Sequence, residues 1–153
     1  MSIDRATIVF FDASALFAAA LSPTGGAGLI LSVCERGLLA VTTSQAVLEE
    51  TERDLEVKRP GPAWYRLSRR IANRALRVLP TPSAADHHPA INRKDAHVYA
   101  AAIAASSEYL ITLDRELIRE VNAIVSTPMA LLPGEFITQC LIFHPSYGEI
   151  EHG

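Results

Sequence analysis

Four acidic residues in separate segments are the first candidates for chemistry in this chain of 153 residues: Asp12, Glu50, Asp95 and Asp114. Two of them directly follow apolar runs, Thr7–Phe11 and Tyr109–Leu113, that are typical of buried strands. Carboxylates that converge repel one another unless a cation neutralises them, and oxygen ligands suit Mg²⁺ or Mn²⁺ better than a soft metal. Such a site can polarise a phosphate and activate water for in-line attack.

Each acid also has a purely structural interpretation. Asp12 and Asp114 are suitable helix N-caps, and Asp95 can complement a helix dipole from the first turn. Glu50 lies in the charged run 49–54, and such a run is usually a solvated helix face. Helical spacing does not choose among the acids that border the apolar stripe of this segment, which are Glu50, Glu52 and Asp54. At this point both interpretations stay open.

The pattern of the elements decides where these acids must lie. Apolar strand-like runs at 7–11, 38–43, 109–113 and 123–126 alternate with helical segments at 13–21, 28–36, 45–59, 64–77, 94–107 and 115–121. Strands that alternate with helices predict an α/β domain, a three-layer α/β/α sandwich around a mostly parallel sheet. Ligands of such sheets bind beyond the carboxyl ends of the strands, where the candidate acids are expected.

Composition limits the function further. The chain is 49% hydrophobic and 20% charged, as expected of one folded domain, and its net charge of −3 is unusual for a protein that simply coats nucleic acid. No apolar run reaches the roughly 18 residues of a membrane span, and no signal peptide is evident, so we expect a cytoplasmic protein.

Cys34 and Cys140 match no zinc or redox spacing. The five histidines show no ligand pattern, and the glycines at 25–28 lack the Lys-Ser/Thr of a nucleotide-binding P-loop.

Three segments together resemble the PIN domain family: IVFFDASALFAAAL, TTSQAVLEETERDL and KDAHVYAAAIAASSEYLITLDRELI. The last is the most specific, because an Asp opens a helix and a strand ends in Thr-x-Asp at a spacing typical of the family. A closing STPMALLPGEF resembles the family's last strand and its Pro-led segment. The resemblance implies a single PIN-like nuclease domain over residues 1–153, with a core at about 6–137 and a C-terminal tail at 138–153.

Carried over residue by residue, the resemblance implies a catalytic metal site for Mg²⁺ or Mn²⁺ made by Asp12, Glu50, Asp95 and Asp114. Thr112 would support the site through its hydroxyl, and Ser14 would contact metal-bound water or phosphate. Glu50 is preferred to Glu49 by its offset from Ser44. Ala13 departs from the amide or threonine that many members carry there, which affects a supporting contact and not the metal site. Family members are mostly metal-dependent ribonucleases, many bacterial ones are VapC-type toxins held inactive by an antitoxin, and the usual state is a homodimer.

Basic residues supply the candidate contacts to RNA. Arg93 and Lys94, just before Asp95, are the preferred substrate-binding pair. A second basic segment follows Trp64 and Tyr65 and contains Arg66, Arg69, Arg70, Arg74 and Arg77. This segment could track phosphates, dock an acidic antitoxin segment or form a solvated face, and the sequence does not decide. Leu29–Val33 and Leu141–Phe143 are weak candidates for a dimer interface.

Two other functions remain possible. A catalytically silent PIN-like scaffold would bind protein or RNA without turnover, and it would fail to bind Mn²⁺. A different α/β enzyme, such as a phosphatase, could use the acids on a small phosphorylated substrate. A receiver-like phosphoacceptor domain requires a lysine near its last strand. No lysine follows the predicted strand at 123–126, which argues against such a domain. Cleavage of RNA but not of a small phosphomonoester separates these alternatives.

Overall fold

The fold is built on a parallel sheet of five strands in the order β3-β2-β1-β4-β5. A computed structural model describes residues 2–73 and 76–152. The strands are β1 (Ile8–Phe11), β2 (Ala40–Ser44), β3 (Arg77–Leu79), β4 (Tyr109–Ile111) and β5 (Met129–Leu131). Every neighbouring pair is parallel, and the connections run through helices. The predicted α/β class is therefore confirmed.

Helices flank this sheet. They are α1 (Ala13–Leu21), α2 (Gly26–Glu35), α3 (Gln45–Lys58), α4 (Ala63–Ala72), α5 (Ala96–Ala104), α6 (Arg115–Ile124), α7 (Pro133–Gln139) and α8 (Tyr147–His152), with 3₁₀ turns at Ala84–Asp86 and Leu141–Phe143. The first helix packs against α2, α3 and α4, and α7 packs against α2. By contrast, α5 contacts β2, and α6 contacts β5. In the described part of the chain no single helix is long and apolar enough to cross a membrane, although α1 and α2, bent by 90°, reach that length and composition as a pair.

The central strand β1 shows why these residues form the middle of the sheet. Its sequence is an uninterrupted apolar run, and Val9, Phe10 and Phe11 are fully buried. A strand with helices over both faces needs apolar side chains on each side, which a continuous run supplies. Phe10 pairs with residues of both neighbouring strands, Thr42 of β2 and Leu110 of β4.

The strand predicted at 123–126 is wrong. Helix α6 continues to Ile124, and the last strand is Met129–Leu131. The helix continues because its spaced apolar residues Leu117 and Val121 are buried. The Asn122 side chain also bonds both the N–H and the carbonyl of Ala130, which fixes the strand beside the helix.

Other boundaries differ by smaller amounts. The helix predicted at 64–77 ends at Ala72, and Arg77 begins the edge strand β3. The second strand lies at Ala40–Ser44 instead of 38–43, and Ser44 caps α3 as predicted, its hydroxyl accepting from Val47 N–H at 3.3 Å. Residues 74 and 75, part of the predicted helix, lie outside the described residues.

The C-terminal tail packs across the surface and adds no strand to the described sheet. Leu141 is fully buried, and the His144 ring bonds the Leu38 carbonyl through Nε2 at 2.7 Å while Nδ1 accepts from Ser146 N–H at 3.0 Å. Phe143 is exposed, so part of the predicted apolar surface exists at 141–143. The stretch Leu29–Val33 lies mostly in the core and offers little apolar surface.

Candidate active site

Asp12 and Asp114 lie at the carboxyl ends of two adjacent strands. Phe11 of β1 pairs with Ile111 of β4, so the residues after each strand meet at one edge of the sheet. The Asp12 N–H donates to the Ile111 carbonyl at 3.0 Å, which extends the pairing by one residue. Strand register alone therefore brings Asp12 beside Thr112.

The two carboxylate oxygens of Asp12 have different partners. Oδ1 accepts from the Ala13 N–H at 2.7 Å, where it caps α1. Oδ2 accepts from the Thr112 hydroxyl at 2.7 Å, and Asp12 is only 5% exposed. Ser14 completes the network, since its Oγ accepts from the Leu113 N–H at 2.9 Å and lies 3.2 Å from Thr112 Oγ1. The network fixes the orientation of the Asp12 carboxylate.

The two carboxylate oxygens of Asp114 also have different partners. Oδ1 accepts from the N–H groups of Glu116 and Leu117 at 3.0 and 3.2 Å, which caps α6. Oδ2 lies 4.0 Å from Lys94 Nζ. The capping interpretation is therefore correct for both acids, yet it uses one oxygen of each and leaves the other for different contacts.

Glu50 and Asp95 are held differently. Glu50 is half-buried on α3, whereas Glu49 is exposed and accepts from Gln45 Nε2 at 3.3 Å. Asp95 immediately precedes α5, at the N-cap position and not within the first turn, and it forms no side-chain capping bond. Among the described residues, neither carboxylate accepts a hydrogen bond from the protein.

These side chains line one cleft of about 320 Å³. Its lining residues are Asp12, Ala13, Ser14, Phe17, Glu50, Asp54, Lys58, Lys94, Asp95, Leu113 and Asp114. The structure thus brings together the four predicted acids, Ser14 and Lys94, with Thr112 beneath them. Arg93 is exposed in the turn before Asp95 and does not line the cleft. Sequence reasoning named Asp54 only as one of the acids that border the apolar stripe, and it missed Lys58, although their spacing of four and eight residues from Glu50 indicates the same helix face.

The acids perturb one another. Burial raises the pKa of Asp12, although the hydrogen bond from Thr112 opposes the rise. Burial, and then the charge of Asp12, raise the pKa of Glu50. Burial together with the charges of Asp12 and Asp114 raises the pKa of Asp95 to about 6. The acids are therefore close enough to oppose each other's ionisation, and a cation among them would relieve that cost.

The donor set fits a hydrated divalent cation. All four predicted ligands offer carboxylate oxygens, which Mg²⁺ and Mn²⁺ prefer. Within residues 2–73 and 76–152, no three acidic, histidine or cysteine side chains lie close enough to hold one ion together. Mg²⁺ normally keeps several waters and binds one or two carboxylates directly, so acids spread around a cleft suit it.

The basic segment after Trp64 does not form one phosphate-tracking helix. Arg66 donates to the Ala20 carbonyl at 3.0 Å, and Arg70 Nε donates to Glu35 at 2.8 Å. Arg69 lies over the Tyr65 ring, 5.8 Å from its centroid. Arg77 is in β3, and Arg74 lies outside the described residues. Arg66 and Arg70 thus connect α4 to α1 and α2.

The comparisons with known proteins agree with this architecture. A PIN domain family model matches residues 8–116, and the chain therefore belongs to the PIN domain family. Comparison with curated protein sequences gave no match. The crystal structure of Mycobacterium tuberculosis VapC20, described as a sarcin–ricin loop cleaving toxin, is similar with a TM-score of 0.56 and 17% sequence identity, covering 78% of this chain and 98% of that one. At this identity the likeness shows the shared fold.

Proposed function

We propose that this PIN domain chain is a metal-dependent endoribonuclease that hydrolyses RNA phosphodiester bonds through Asp12, Glu50, Asp95 and Asp114. One observation supports this most strongly. Four carboxylates line one cleft at the carboxyl edge of the parallel sheet, and three of them have raised pKa values. Clustered acids with perturbed pKa values are typical of functional sites.

The protein side chains have distinct roles in this proposal. A divalent cation, Mg²⁺ or Mn²⁺, would neutralise the carboxylates and polarise the scissile phosphate. Thr112 and the backbone hold Asp12 in one orientation, and the α6 N-terminus holds Asp114. Glu50 is half-buried and free of hydrogen bonds from the described residues, so it is suited to orient the attacking water and accept its proton. The water oxygen bonds to phosphorus as the P–O bond to the leaving oxygen breaks. The leaving oxygen takes up a proton from solvent, and one product end keeps the phosphate.

The biological setting is a further part of the proposal. The family membership and the toxin role described for VapC20 support a toxin function. We further propose an antitoxin protein as partner and a homodimer as the assembly, as the family resemblance implies. We propose that residues 1–153 act as one domain in the cytoplasm. A hairpin that carries the sarcin–ricin loop is the first structured RNA to test, because VapC20 is described as cleaving that loop.

The test is cleavage of this RNA with Mg²⁺ or Mn²⁺ by the wild type, Asp12→Asn and Asp114→Asn. Asparagine is as good an N-cap as aspartate, so both variants keep α1 and α6 capped while losing the anionic oxygen. Glu49→Gln, on the exposed side of α3, is the matched control. We expect metal-dependent cleavage by the wild type and the control, and none by the two Asn variants.

The alternatives give different results. A wild type that neither binds metal nor cleaves RNA with either ion would overturn the nuclease proposal in favour of a silent scaffold. Hydrolysis of a small phosphomonoester without RNA cleavage would indicate a phosphatase instead. Circular dichroism of each variant shows whether lost cleavage reflects the site or lost folding.

A further inference from the structure

We propose that Lys58 forms a second phosphate-binding subsite at the far end of the cleft, which holds the RNA backbone beyond the scissile bond. This inference rests on the proposed ribonuclease function. It concerns a residue outside the acid cluster, and it requires a substrate long enough to reach from Glu50 to Lys58.

Helix α3 gives the cleft its length. Glu50, Asp54 and Lys58 are spaced by four residues, lie on the same face of α3 and all line the cleft. At a rise of 1.5 Å per residue, Lys58 stands about 12 Å along the helix axis from Glu50. The cleft therefore continues past the acids. The volume of this cleft is about 320 Å³.

The charges in the cleft indicate where a phosphate can bind. Its described lining has five carboxylates, on Asp12, Glu50, Asp54, Asp95 and Asp114, against two ammonium groups. Those ammonium groups come from different walls, Lys94 from the turn before α5 and Lys58 from the end of α3. Away from the proposed metal, a phosphodiester is repelled by the acids and attracted only near these lysines.

Lys58 is free to change its partner. Its Nζ lies 3.9 Å from Asp54 Oδ1, and its side chain is 64% exposed. An exposed ion pair one helical turn apart is weak, because solvent screens it and two flexible side chains must be ordered. A phosphate can therefore replace Asp54 at little cost, while Asp54 competes with the phosphate in the free protein.

The experiment compares Lys58→Gln, Asp54→Asn and the charge-matched control Arg59→Gln. Arg59 is an exposed cation next in the chain that does not line the cleft. KM and kcat are measured on a dinucleotide and on an unstructured RNA of about ten nucleotides, and the salt dependence of KM for the longer RNA is recorded. Lys58→Gln should raise KM for the longer RNA about tenfold, leave kcat unchanged, and lower the log–log salt slope by about 0.7, as for one lost phosphate contact on a single strand.

The variants make the subsite testable independently of the chemistry. Asp54→Asn should lower KM for the longer RNA, and Lys58→Gln should not affect the dinucleotide. Equal effects of Lys58→Gln and Arg59→Gln, or an equal effect on both substrates, would overturn the subsite while the nuclease proposal stands. If the wild type cleaves nothing, the nuclease proposal fails, and fluorescence anisotropy of the longer RNA still tests whether Lys58 binds it.

Discussion

Replacing Asp95 with asparagine should stabilise the metal-free protein. Burial and the charges of Asp12 and Asp114 raise the pKa of the Asp95 carboxyl from 3.8 to about 6. The folded protein thus binds this proton more tightly than the unfolded chain, whose pKa is the ordinary one. The stability contributed by the protonated form is present at low pH and is lost as the pH rises from 3.8 through about 6.

The structure sets the size of the effect. A rise from 3.8 to about 6 corresponds to about 3 kcal/mol at about 1.4 kcal/mol per pH unit. Asp95 is partly exposed, so solvent screening reduces this, and we expect Asp95→Asn to raise the free energy of unfolding by about 1 kcal/mol at neutral pH. The substitution keeps a residue suited to the N-cap position before α5.

Urea denaturation in EDTA, at about pH 7.5 and about pH 4.5, measures this directly. The free energy of unfolding of Asp95→Asn should exceed that of the wild type at the higher pH. The difference between the two free energies should shrink towards zero at the lower pH. Glu56→Gln, an exposed acid of α3 outside the cleft, is the control and should show no such pH-dependent difference. A variant less stable than the wild type at neutral pH, or a gain that is equal at both pH values, would refute the electrostatic reasoning.

Four further substitutions, one of them a control, test other contacts. Thr112→Val removes the hydroxyl that donates to Asp12, and should lower kcat/KM for RNA by about tenfold to hundredfold while circular dichroism stays unchanged. Gly28→Ala would place a Cβ 2.2 Å from a backbone carbonyl oxygen of the preceding turn. This clash should destabilise the fold by about 3 kcal/mol in thermal melts. Gly134→Ala is the control and should be tolerated, because a Cβ there meets open space. Ser106→Gly should stabilise the fold by about 1 kcal/mol in urea titrations, because Ser106 has a φ of 57° that only glycine adopts freely; an unchanged midpoint would contradict this.

The parts of the fold that sequence predicted are those governed by local pattern. The apolar run of β1 followed by Asp12 gave a buried central strand with an acid at its end, because a strand covered on both faces cannot alternate. Ser44 was predicted as a cap from its position before a helical segment. The placement of Asp12 and Asp114 at one edge followed from the rule that the carboxyl ends of parallel strands lie together.

The parts that sequence missed depend on tertiary contacts. Ile124 and Val125 are β-branched and favoured a strand, yet α6 is held as a helix by its buried apolar face and by the bonds of Asn122 to β5. Asp54 ends the charged run 49–54 and Lys58 follows it one helical turn later, and nothing local shows that this face of α3 borders a cleft and not bulk solvent. Asp12 and Asp114 each use one carboxylate oxygen to cap a helix and the other for a second contact. This arrangement is likewise visible only in the structure.

The strand order has a consequence for how the cleft opens. The amide of Asp12 bonds the Ile111 carbonyl and that of Thr112 bonds the Leu131 carbonyl, so both are fixed between strands and should exchange hydrogen only when the sheet itself opens. The amide of Lys94 bonds only the exposed Asn92 side chain at 3.1 Å and should exchange far sooner. The cleft thus has one wall that opens only with the sheet and a rim at Lys94 that can open locally, and the proposed RNA substrate would enter and leave past that rim.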